Sequence, residues 1–257
     1  MKMLAKDIPN NTLIKFIDKD TNYILTDEKV LTYATYTGNI DKILKYDGVF
    51  FLTQDDGKYY IVSEDCPLIV VNPTDEMYLT WIHSTEEYKL IKEFYSDKVA
   101  SRSGVPLINH IDEGLEILIK LKASEDAMKA FCLHPLIQND KDLADNFSLI
   151  KECDSHVVAL VMEYRNIANS WLSDKVLLAN GYPYHNTEIK LSPLEDVNDM
   201  LRADKIQNYK DFLIYHKGIR PRSDELDYYF NRWIEILFKK CDVLELMLEI
   251  TGAKNEH

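Results

Sequence analysis

Two histidines and one aspartate, each in a different stretch of the chain, are the residues best suited to chemistry. His110 lies in SRSGVPLINHIDEGLEIL (101–118), just before an amphipathic helix. His134 lies in AFCLHPLIQND (130–140), pinned against Pro135, and Asp204 lies in MLRADKIQNYKDF (200–212). In the third stretch Asp204, Asn208 and Asp211 follow i, i+4, i+7 spacing, which puts them on one helix face. Imidazole and carboxylate suit Mn, Fe or Zn, so two histidines and a carboxylate from separate helices can converge on a divalent ion. Each is weaker alone. A single histidine on an apolar helix is more often a core group with a hydrogen-bond partner, and a polar helix stripe is more often solvated. A candidate catalytic acid is Glu163, in HVVALVMEYRNIANSWL (156–172), where His156, Glu163, Asn166 and Ser170 recur at i, i+7, i+10 and i+14. That carboxylate either faces the same cavity as the histidines or pairs internally with Arg165 or another cation, since a buried carboxylate needs a partner.

The elements that must position these groups fall into two parts, a β-rich module over residues 1–75 and a helical domain over 76–257, so the fold class is α+β. In the first part, β-branched and aromatic runs recur at LIKFI (13–17), VFFLT (49–53), KYYIVS (58–63) and LIVVN (68–72). QDDGK, between the second and third runs, carries an Asp-Gly hairpin signal, and the spacing predicts a small antiparallel sheet. Such a sheet, with no cluster of His, Cys or acids, more often packs or recognises than catalyses. After NPTDE (72–76) the period becomes helical, with segments at 76–99, 112–134, 142–151, 154–172, 195–215 and 224–249. The last segment is the clearest. Ser223 suits an N-cap, Asp224 and Glu225 suit the first turn, and Leu226, Phe230, Trp233 and Leu237 share a face. ANGYPYHNTE (179–188) reads as a turn-rich loop between helices.

The three polar stretches in order resemble the HD-domain hydrolases of the Rel/SpoT type and their small stand-alone relatives, which cleave the 3′-diphosphate of guanosine alarmones. That family reads G-x-P-Y-I-x-H-P, then A-A-L-L-H-D-x-x-E-D-T, then L-A-D-K-L-x-N-x-R. The corresponding stretches are GVPLINHI (104–111), AFCLHPLIQND (130–140) and LRADKIQNYKDF (201–212), and the resemblance spans about residues 85 to 240. DELDYYFNRWIEIL (224–237) falls where the family has its closing helix, and the β-rich module has no counterpart there. The resemblance implies an HD-like helical domain with His110, His134 and Asp204 as metal ligands. It implies nucleotide contacts at Lys98, Arg102, Gln138, Asn139, Lys205 and Asn208. Arg202, Arg220 and Arg222 could add phosphate contacts, arginine being suited to bidentate oxyanion binding, or form surface ion pairs.

The chain departs from the family where the acids belong. Pro135 replaces the aspartate of the HD pair, so one ligand oxygen is lost. Gln138 and Asn139 stand for the Glu-Asp pair that works on the hydrolytic water, and an amide cannot serve as general base near neutral pH. Three readings follow. The first is a pseudoenzyme that binds a purine nucleotide or alarmone-like molecule, with catalysis lost or altered and a divalent metal (Mn, Fe or Zn) weakly held or lost. The second is an active metal-dependent phosphohydrolase with a rebuilt site. The third is an interaction or assembly protein that works through the N-terminal module and the 16 tyrosines, aromatic residues being favoured at interface cores.

Bulk properties narrow the surroundings. A formal net charge of -13 repels nucleic acid and anionic membrane, so neither is an expected partner. Four scattered cysteines without a CxxC pair fit a reducing, cytoplasmic setting. MKMLAKDIPNN lacks the apolar stretch of a signal peptide, and no segment approaches 18 uncharged apolar residues.

Overall fold

Six short strands come first: β1 (Lys2–Leu4), β2 (Leu13–Lys15), β3 (Asn22–Thr26), β4 (Val49–Thr53), β5 (Tyr59–Val62) and β6 (Pro67–Val70). In the computed structural model the described residues are 1–4, 8, 13–15, 22–26, 49–53, 59–62, 67–101, 103–173, 189–219 and 223–238. The QDDGK turn, the ANGYPYHNTE loop, Arg102, Arg220, Arg222 and the 239–249 end of the last expected helix lie outside them. The chain divides into two units, Met1–Trp81 and Ile82–His257. No described helix is long and apolar enough to cross a membrane.

The first unit is a six-stranded sheet in the order β1-β6-β2-β3-β4-β5. Every pairing is antiparallel, and β4 meets β5 in hairpin register, with Val49 opposite Val62 and Phe51 opposite Tyr60. Its interior strand β6 opens on Pro67, the one strand position where a missing N–H is tolerated away from an edge. Met3, Ile14, Leu68 and Val70 are buried while Ile69 is not, the period of two that a half-buried sheet requires. Strands β1 and β3 were not expected from the sequence; KML is too short to express an alternation.

Helices follow: α1 (Asp75–Ser84), α2 (Glu86–Tyr95), α3 (Ile108–Lys120), α4 (Glu125–Leu133), α5 (Asp140–Ile150), α6 (Ser155–Ser173), α7 (Glu195–Tyr215) and α8 (Ser223–Leu237). Two expected helices are each broken by a capping hydroxyl. Thr85 accepts from the Tyr88 N–H and donates to the Ile82 carbonyl, so the 76–99 segment stops and restarts there. Ser124 accepts from the Ala127 N–H and splits 112–134 in the same way. Between α2 and α3, Val99 bridges Pro106 and Gly104 turns the loop at φ 73, a backbone region that favours glycine.

Helix α4 is the centre of the second unit. It packs against α2, α3, α6 and α7, and Ala127, Met128, Ala130, Phe131, Cys132 and Leu133 are all buried. Full burial of side chains such as Phe131 and Leu133 contributes roughly 1.5–3 kcal/mol each. Gly114 lets α3 approach closely. A Cβ there would overlap the Phe131 ring. The helices therefore meet at glycine, with His110 one turn before it on α3 and His134 at the end of α4.

Candidate metal centre and adjoining cleft

His110 sits in the first turn of α3, which begins at Ile108 instead of at 112, so the histidine is carried by the helix and does not precede it. His134 follows the last residue of α4 and opens a 3-10 turn, His134–Ile137, with Pro135 at a position where its missing N–H costs nothing. Asn146 donates to the Leu136 carbonyl at 2.8 Å and holds that turn against α5. Asp204 is in the middle of α7.

The three side chains converge. His110 Nε2 is 3.2 Å from His134 Nε2 and 3.6 Å from Asp204 Oδ1, and His134 Nε2 is 3.9 Å from that oxygen. A point equidistant from these donors lies about 2.1 Å from each, the bond length of a first-row metal to imidazole nitrogen or carboxylate oxygen. No other group of three or more His, Cys, Asp or Glu side chains among the described residues is disposed to hold an ion.

The outer hydrogen bonds aim the same way. His134 Nδ1 lies 2.6 Å from the Phe131 carbonyl oxygen, which can only accept, so Nδ1 carries the proton. His110 Nδ1 lies 2.6 Å from Gln207 Oε1, with the same consequence. Both rings thus turn an Nε2 lone pair toward the other, and that arrangement calls for a cation between them, a proton or a metal. Burial holds His134 down to about 3, with the neighbouring His110 acting in the same direction, so it stays an unprotonated donor at neutral pH.

Asp204 is tied on both oxygens. Lys205 Nζ donates to Oδ2 at 2.7 Å and Asn208 Nδ2 to Oδ1 at 2.7 Å. Burial alone would raise its pKa, but Lys205 and the two histidines override this and hold the carboxyl down to about 2. Lys205 is itself buried, its ammonium 5.1 Å from the Trp233 ring and 5.5 Å from Tyr229. Tyr164 packs its ring 4.9 Å from His134. The set fits a divalent ion: two imidazoles whose Nε2 atoms face each other, one ionised carboxylate, and fixed ring orientations.

Asn208 links the cluster to a cleft of about 660 Å³. Its walls include Val99, Leu107, Phe212, Leu226 and Phe230, with Ser101, Ser103, Asp211 and His216 as the polar positions. Mostly apolar walls with a few directed polar groups are the usual form of a small-molecule site.

The other expected site residues are placed as follows. Lys98 is exposed, donating to the Phe94 carbonyl at 2.8 Å and lying 4.5 Å from the Phe94 ring. Gln138 is exposed, and Asn139 is the N-cap of α5, accepting from the Asp142 N–H at 2.9 Å and donating to its carboxylate. Lys205 directs its ammonium inward to Asp204. Glu163 is outside the three-residue cluster and accepts from the Ser192 hydroxyl at 3.0 Å, while Arg165 pairs with Asp140. Arg202 is held by Glu195, Asp199 and the Leu237 carbonyl. Two residues were missed in the sequence, Gln207 and Tyr164. Gln207 shares the Asp204–Asn208–Asp211 helix face and was discoverable from spacing; Tyr164, in an apolar helix, gave no signal. Comparison of the chain with family models, with curated proteins and with solved structures returns no match.

Proposed function

We propose that the helical unit is a degenerate HD-like domain that holds a divalent ion at His110, His134 and Asp204 and binds a phosphate-bearing purine nucleotide, with hydrolysis lost or altered. The observation that carries this reading is the convergence of three donor atoms around one point at metal-bond distance. A bound divalent ion would supply Lewis-acid contact to a phosphate oxygen. The half-buried Phe230 ring in the cleft wall offers an apolar face to a base, and Asn208 touches both the cleft and Asp204. The loss of catalysis is read from the turn after His134. Pro135 has no ligand atom, Gln138 has no basic form near neutral pH, and the Asn139 amide is engaged as a helix cap.

The test is direct. The full chain should bind Mn²⁺ or Zn²⁺ in calorimetric titration, and should bind at least one of guanosine tetraphosphate, nicotinamide dinucleotide phosphate or a common purine nucleotide without releasing phosphate. Absence of binding to all of them at high micromolar concentration would sink the reading. Phosphate release that His134→Ala or Asp204→Ala abolishes would instead identify a working hydrolase with a rebuilt site.

A further inference from the structure

We infer that Gln207 is the positioning residue that fixes His110 as a metal ligand, and that it ties this ligand to an acid in the wall of the cleft; the inference rests on the metal-binding reading above. Gln207 is 1% exposed. Its Oε1 is 2.6 Å from His110 Nδ1, and its Nε2 donates to Asp211 Oδ2 at 2.9 Å and to Glu113 Oε2 at 3.1 Å. Two carboxylates that can only accept therefore dictate which end of the amide faces the histidine. Turned the other way, the carbonyl oxygen would confront both acids and the NH₂ would confront the ring. Against that oxygen His110 Nδ1 carries a proton, and Nε2 is the ring atom left to face His134 and Asp204.

The acids are anchored in their turn. Lys210 pairs with Glu113 and lies 3.4 Å from Asp211 Oδ1, so the amide is held by a fixed frame instead of a free side chain. Asp211 also lines the cleft. One chain of hydrogen bonds thus runs from the cleft wall through Gln207 to a metal ligand. Outer partners of this kind orient ligating histidines and are worth about 10–100-fold in metal affinity.

Long-range ¹H–¹⁵N correlation spectra of the metal-free, full-length protein, taken at a pH high enough that no proton is shared between the two rings, test this without any substitution. His110 is expected as the Nδ1–H tautomer, and finding it as Nε2–H would overturn the inference. Gln207→Met, which removes the acceptor at similar volume, should move His110 toward Nε2–H and weaken Zn²⁺ binding by about 10–100-fold, measured by competition with a chromogenic chelator. A folded Gln207→Met protein with wild-type tautomer and wild-type Zn²⁺ affinity would also overturn it. If wild-type protein keeps the Nδ1–H form yet binds no Zn²⁺, the metal reading fails and the role of Gln207 in holding the ring stands.

Discussion

The two sides of the His134 imidazole have been built to different standards. On one side, His110, Asp204, Lys205, Gln207 and Asn208 form a network in which every donor direction is set by a partner, mostly out of water. On the other, the turn from Pro135 to Asn139 offers a half-buried ring, an exposed amide and a helix cap. Groups that could bind a cation are held as a unit, whereas Pro135, Gln138 and Asn139 are residues suited to local structure. The ligand frame comes from α3, α7 and the first residue of the turn that follows α4, whereas Pro135, Gln138 and Asn139 all lie on that short turn.

The largest expected effect lies on the networked side. Asp204→Ala should lower stability by about 3–5 kcal/mol, because it strands the buried Lys205 ammonium without its partner. Chemical denaturation would measure this, and the same variant should lose Zn²⁺ binding. A loss below about 1 kcal/mol would mean that Lys205 finds water or another acceptor, and the contrast between the two sides would weaken.

Acid should reach the same network next. His134 is held near 3 in the fold, against about 6.5 when exposed in the unfolded chain. Between those values the unfolded chain binds a proton that the folded one refuses, so stability falls as pH drops through that window. Asp204, lowered to about 2, adds a loss in the same direction below the ordinary carboxylate range. With chelator present, stability should fall between pH 7 and pH 4.5 by about 2–3 kcal/mol more in wild type than in His134→Phe, which keeps a buried ring that cannot charge. Equal acid sensitivity in the two proteins would assign the loss to other groups.

A third test concerns how the helices bring the histidines together. Gly114→Ala would drive a methyl group into the Phe131 ring, which packs 5.7 Å from the His110 ring and 4.7 Å from that of His134. Overpacking of this kind costs about 1–3 kcal/mol, read by denaturation, and should weaken Zn²⁺ binding as the rings shift. An unaltered variant would show that α3 and α4 can separate slightly without disturbing the site. The glycine also marks the limit of what the sequence discloses. His110, His134 and Asp204 stood out because their residue types carry chemistry and α7 gave a clean polar face. Strands such as VFFLT and helices such as 195–215 were legible because tertiary packing asked for the same pattern that local preference already wrote. Gly114 said nothing, because its importance is a distance to a ring on another helix. Thr85 and Ser124 were legible only as capping types; whether each would stop a helix depended on hydroxyl geometry. Glu163 was legible as a polar position in an apolar helix, but its partner, Ser192, is 29 residues away and no periodicity could name it.

The smallest expected effect is on the turn, where the comparison can be inverted. Asn139→Ala should cost about 1 kcal/mol in thermal or chemical denaturation, the usual loss of an N-cap side chain, and leave Zn²⁺ affinity unchanged. Asn139→Asp should be nearly neutral in stability, since aspartate caps as well as asparagine and its charge sits at a helix N-terminus. If Asn139 has only this structural task, the two variants will differ in stability and agree in metal and nucleotide affinity. Should Asn139→Ala instead weaken nucleotide binding several-fold while the fold holds, the turn is part of the ligand site after all, and the division between a binding frame and a structural turn has been drawn in the wrong place.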